Sequence, residues 1–166
     1  MKLRFYADLA FYNGGAWGAT LEHKENGVWK QRFFIEKEIP CQFGPICWVL
    51  HEYSNYLPME EGEWRVFFYL RGVGEVNEIN LDGTGVWEDN ESENLLQNPS
   101  FEEETLDPWQ IIGLDEEKGD WIRRFKERLE GGWIIVPAID GDWFIGMHLE
   151  ERESPRTLGI LQEFTI

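Results

Sequence analysis

The chain has 166 residues, 42% of them hydrophobic and 15% aromatic, and its 32 acids against 15 bases give a net charge of −17. So much apolar material excludes a disordered chain, and this length suffices for one self-supporting domain. The acid excess argues against phosphate or anionic lipid as the main ligand, since both demand a basic footprint, so neither direct nucleic-acid binding nor a membrane surface is expected.

The start, MKLRFYADLAFYNGG, has no continuous apolar run followed by a small-residue cleavage site, and about 18 apolar residues never run together. The expectation is a soluble, cytoplasmic protein. Lys2 to Asp8 alternates, with Leu3, Phe5 and Ala7 on one face, and predicts a half-buried strand. After Asn13-Gly14-Gly15, two further strands, Ala16 to His23 and Val28 to Glu36, are joined by Glu25-Asn26-Gly27, whose Asn-Gly pair signals a tight hairpin. Trp17, Ala19 and Leu21 can share a face with Trp29, Phe33 and Ile35. A three-stranded antiparallel meander is the simplest arrangement.

Cys41 and Cys47, a C-x5-C pair without a second pair or a neighbouring His, lack zinc spacing and are expected to be buried free thiols, so no metal or cofactor is predicted. Pro45 suits the first position of a helix, and Ile46, Val49, Leu50, Tyr53 and Leu57 recur at helical spacing until Pro58. In that predicted helix His51 and Glu52 read as a solvated pair. Trp64 to Leu70 (WRVFFYL) reads as a buried strand, and the glycine-punctuated run Val73 to Trp87 as a short strand or two.

Taken together, FYADLAFYNGGAWGATL, the hairpin, the third strand, the helix and WRVFFYL resemble the first half of a ribonuclease H-like domain, over about residues 1 to 70. The resemblance implies that Asp8 matches the first of the carboxylates that such enzymes gather to clamp two Mg²⁺ ions. The positions of the next two fall near Gly44, Pro45 and Ile46 and near Leu70 and Arg71, where no carboxylate stands. What it implies is architecture, with a degenerate active site.

Glu88 to Asp120 (EDNESENLLQNPSFEEETLDPWQIIGLDEEKGD) holds twelve acids and one base, Lys118, a local charge of −11. Leu95, Leu96, Phe101, Leu106, Trp109, Ile111 and Ile112 should pin this long excursion to the core with its carboxylates outward. Beyond it, Trp121, Ile122, Phe125 and Leu129 make an apolar stripe that predicts a helix from Asp120 to Glu130, ended by Gly131-Gly132. Asp140-Gly141 predicts a hairpin between Trp133 to Ile139 and Trp143 to Leu149, with Trp143 and Ile145 facing the core, and Leu158 to Ile166 supplies a last strand. The expected architecture is one α+β domain over 1–166, with about seven mostly antiparallel strands and two principal helices.

No catalytic set stands out, and the local acid excess points to a binding surface for a basic protein partner, a toxin domain or a nucleic-acid-binding protein. Its expected residues are Glu88, Asp89, Glu91, Glu93, Glu102, Glu103, Glu104 and Asp107, with Trp109 as an aromatic anchor. A bacterial immunity protein that covers a cognate toxin, such as a nuclease, fits this character. The alternatives are a degenerate ribonuclease H-like hydrolase and an adaptor domain of a larger assembly.

Overall fold

A computed structural model of the protein describes residues 1–9, 15–38, 48–54, 60–74, 76–88, 93–130 and 134–166. Nearly every element in it is a strand: β1 (Lys2–Leu9), β2 (Ala16–Glu25), β3 (Val28–Glu38), β4 (Trp48–Tyr53), β5 (Glu63–Gly74), β6 (Asn77–Trp87), β7 (Gln110–Ile112), β8 (Trp121–Phe125), β9 (Glu127–Glu130), β10 (Ile134–Pro137), β11 (Phe144–Leu149) and β12 (Arg152–Thr165). Among the described residues the only helical element is a single 3-10 turn, Glu116–Lys118. The α+β expectation is thereby corrected to an all-β fold.

Two five-stranded antiparallel sheets face each other. The front sheet runs β3-β2-β5-β12-β7 and the back sheet β4-β1-β6-β11-β8, while β9 and β10 form a separate ribbon. Period-2 alternation sends one side of each strand inward: Leu3, Phe5 and Ala7 from β1, Trp17, Ala19 and Leu21 from β2, Trp64, Val66, Phe68 and Leu70 from β5, Ile145, Met147 and Leu149 from β11. At about 1.5–3 kcal/mol per buried aliphatic or aromatic side chain, this shared core holds the sheets together.

The β2–β3 hairpin is present, with Asn26 at φ 50° and Gly27 at φ 79°, as a type I′ turn requires. The three-stranded meander is not, because β1 leaves it to pair with β4 and β6 in the back sheet. A bulge after Leu21 makes Arg32 the extra residue of β3, so that Trp29 lies opposite Lys24 on the outer face while Phe33 and Ile35 pack against the core.

Both predicted helices are strands where they are described. In β4, Val49, His51 and Tyr53 oppose Ala7, Phe5 and Leu3. His51 is the buried member, stacked on Phe5 at 5.1 Å, and burial, helped by Lys37, pushes its pKa down to about 4. A His among the inward positions, with Trp48 and Leu50 on the other face, disguises period 2 as a helical stripe. From Trp121 onward the apolar residues serve both faces of β8. Ile122 packs toward the core, whereas Trp121 stacks on His148 of the outer face at 5.0 Å and 5°. The arginines cover these rings, Arg123 at 5.3 Å and Arg128 at 4.9 Å from the Trp121 centroid.

The turn at Gly141 is present (φ 78°), but the expected hairpin around it is not. Instead β10 pairs with β9, and β11 with β6 and β8. Ile145 is fully buried, whereas Trp143 is half-buried beneath Arg124 and Lys126. The predicted segments around Cys41, Cys47, Pro45, Asn13-Gly14 and Gly131-Gly132 lie outside the described residues.

Candidate functional site

The acidic excursion is bound to the sandwich by its apolar side chains and its backbone. Leu96, Phe101 and Trp109 are buried in the shared core, Thr84 and Leu95 donate to Pro99 and Val86 carbonyls, and Gln162 holds the Gln97 peptide from both sides. Trp109, expected both to pin the excursion and to anchor a partner, is only 4% exposed and donates from Nε1 to the Asn98 carbonyl. Its work is done inside.

Glu102, Glu103, Glu104 and Asp107 are exposed on one loop, Glu93 is exposed nearer the start of the excursion, and Glu88 is half-buried. Asp89 and Glu91 lie outside the described residues. Glu102 reaches across to accept the Asp142 and Trp143 N–H groups, both at 2.8 Å, and the Ser100 hydroxyl donates to Asp140 at 2.6 Å. Two distant segments thus bring Glu102, Glu103, Glu104, Asp107, Asp140 and Asp142 to one acidic tip.

A different surface has the shape of a ligand site. The outer face of the front sheet holds an open pocket of about 450 Å³, with Phe67, Tyr69, Leu161 and Ile112 along its apolar part and Thr20 and Thr157 beside them. Phe67 and Tyr69 are alternate residues of β5 and stack at 5.3 Å and 23°. Neighbouring strands supply glycines under them: a Cβ on Gly18 would stand 2.4 Å from the Tyr69 ring, and one on Gly159 would stand 2.6 Å from Phe67. The missing side chains let both rings lie down on the sheet. Phe34, 51% exposed and opposite Thr20 in register, extends the apolar row toward the β3 edge.

Charged pairs close this row on both sides. Arg65 bonds to Glu22 and lies over Trp29 at 4.6 Å. Glu36 accepts from Tyr69 Oη at 2.8 Å and from the Arg71 fork. The Arg71 hydrogen bond holds the Glu36 carboxyl below its usual range despite partial burial, and burial together with Glu36 pushes the Tyr69 phenol up. The tyrosine therefore stays a neutral donor. Two acids and two bases line the pocket, so it carries no net charge in a strongly acidic chain.

WRVFFYL reads as apolar at nearly every position, yet the strand splits WRVFFYLR into Trp64, Val66, Phe68 and Leu70 inward and Arg65, Phe67, Tyr69 and Arg71 outward. Two arginines bracketing two aromatics at alternate positions was the available signal. On the back sheet, Glu78 pairs with His148 and with Arg128, which also reaches Asn80, so that polar cluster is satisfied internally. Asp82 accepts the Gly83, Ile139 and Asp140 N–H groups and pins the 139–140 backbone. Asp8, the residue matched by the ribonuclease H-like resemblance, sits in β1, and the described part of the helix which that resemblance implies is β4.

No protein-family model, curated protein or solved structure matches the chain.

Proposed function

We propose that the protein is a non-catalytic binding module whose ligand site is the pocket on the outer face of the front sheet, and whose ligand is an uncharged, polyhydroxylated molecule of the saccharide class. The observation that carries this reading is the stacked Phe67–Tyr69 pair laid flat between Arg65–Glu22 and Arg71–Glu36. An ionic ligand would have to break one of those pairs or leave a charge uncompensated, which is costly in a partly desolvated site. A sugar makes neither demand. Its C–H face packs on the rings, and its hydroxyls exchange hydrogen bonds with carboxylates, guanidinium groups, Thr20 and Thr157.

Titration calorimetry against neutral oligosaccharides tests the reading. Binding should fall about tenfold or more in Phe67→Ala, a loss of about 1.4 kcal/mol, while the thermal midpoint shows the domain still folded. A panel that gives no heat with the parent, or a Phe67→Ala protein that binds like the parent, would refute it.

A second reading, a basic protein neutralised at the acidic tip in the manner of an immunity protein, is favoured by the convergence of the 102–107 loop with Asp140 and Asp142. The two readings use different surfaces and are separable by mutation.

A further inference from the structure

Three ligand-type side chains meet at the hairpin end of the front sheet: His23 of β2, Glu25 at its last position and Glu60 just before β5. One donor atom from each lies within 4.8 Å of the others. The His23 ring is fixed against Trp64 at 4.7 Å, and Trp64 Nε1 also holds the Glu60 carbonyl at 2.8 Å. His23 is only 7% exposed. Its Nε2 lies 3.2 Å from the Glu61 carbonyl oxygen, which can only accept, so the proton of the neutral ring sits on Nε2 and the lone pair on Nδ1. Gly62 lets the loop close behind the ring, since a Cβ there would come within 2.9 Å of Nε2.

That lone pair faces Glu60 at 3.1 Å and Glu25 at 3.9 Å and takes no hydrogen bond from either, because an ionised carboxylate has none to give. Three acceptors converging on one point need a positive centre between them. We propose that His23 Nδ1, one oxygen of Glu25 and one of Glu60 form a binding site for a divalent transition metal of the zinc class, with water completing the coordination. Bonds of about 2.0–2.2 Å in tetrahedral geometry put ligand atoms about 3.4 Å apart, between the 3.1 and 3.9 Å that separate Nδ1 from the Glu60 and Glu25 oxygens. The backbone carbonyl on the far nitrogen is the partner that metal-bound histidines ordinarily have, and imidazole with carboxylate suits zinc better than magnesium or calcium.

Arg32 is the competitor. Its guanidinium touches both Glu25 and Glu60, and Lys30 pairs with Glu25 at 2.8 Å. Arg32 is the extra residue of the β3 bulge and its side chain is 26% exposed, so it can swing to water when a metal takes its place. Until then it stands in as the cation that holds the two carboxylates together.

Calorimetry and thermal unfolding of the full chain, treated with chelator and then titrated with zinc chloride, test this. One equivalent should bind and raise the unfolding midpoint. His23→Gln and Glu60→Gln should each weaken binding about a hundredfold or more, His148→Gln should leave it unchanged, and Arg32→Gln should tighten it by removing the competing cation. Glu60 is half-buried, with its side chain 40% exposed against 9% for His23, so its variant stays interpretable if His23→Gln does not fold. No binding by the parent, equal binding by Glu60→Gln, or weaker binding by Arg32→Gln would each overturn the proposal.

Discussion

Trp109 shows how much a single residue's role depends on where the backbone puts it. Within an acidic stretch it reads as an anchor for a partner, yet it packs between Phe68 at 6.0 Å and Phe101 at 5.8 Å and donates its indole N–H to Asn98. Truncation there should act on stability. Trp109→Ala is expected to cost about 3–5 kcal/mol, through lost burial and the cavity left. Chemical denaturation measures it, and a variant with an unchanged midpoint would mean that the excursion is not part of the core.

At the scale of strands, the pairing of β6 with β11 sets the pH response. His148 bonds to Glu78 at 2.6 Å and to Glu150 at 3.0 Å. Burial opposes its charge, but these carboxylates prevail and its pKa is raised, while Glu78, also buried, is held below its usual range by His148 and Arg128. The histidine's contribution is complete below its unfolded pKa of 6.5 and fades as pH rises through the folded value. That of Glu78 is complete above 4.5 and fades as pH falls through its own. Their contribution is therefore greatest between those two unfolded values. Since His51, whose pKa is lowered, works the other way below pH 6.5, the quantity to measure is the stability gap between parent and His148→Gln. It should shrink as pH rises from 6 to 9, and a constant gap would exclude the ion pair. The same elements explain what was legible in the sequence. The first strand, the Asn26-Gly27 hairpin, the buried WRVFFYL strand and the last strand could be read because one face is apolar or the turn chemistry is specific. The segments at Trp48 and Trp121 could not, because their strands carry apolar residues at both parities, and spacings of three and four then arise without a helix. The pocket on the front sheet was hidden for a related reason. Its parts come from β2, β3, β5, β7 and β12, whose adjacency no local pattern records.

For the whole molecule, charge and topology act at different times. The acidic tip creates a field that would speed encounter with any basic partner and decays with added salt. For any basic protein that the parent captures, replacing Glu102, Glu103 and Glu104 with Gln should slow association by about tenfold at low salt and flatten its ionic-strength dependence. Stopped-flow rates identical to the parent's at every salt concentration would remove the tip from consideration as a steering surface. Topology governs the earlier event, folding. Strand β12 lies between β5 and β7, and β11 between β6 and β8, so both sheets wait for strands far along the sequence, and Phe164 must find Trp64 from 100 positions away. Such long-range pairings make folding slow, in the millisecond-to-second range. During synthesis β5 and β6 leave the ribosome well before the strands that complete their edges, and each offers an open ladder to any neighbouring chain until then. The protein is thus most vulnerable to aggregation in the interval before β11 and β12 arrive, and its yield should depend on how long that interval lasts.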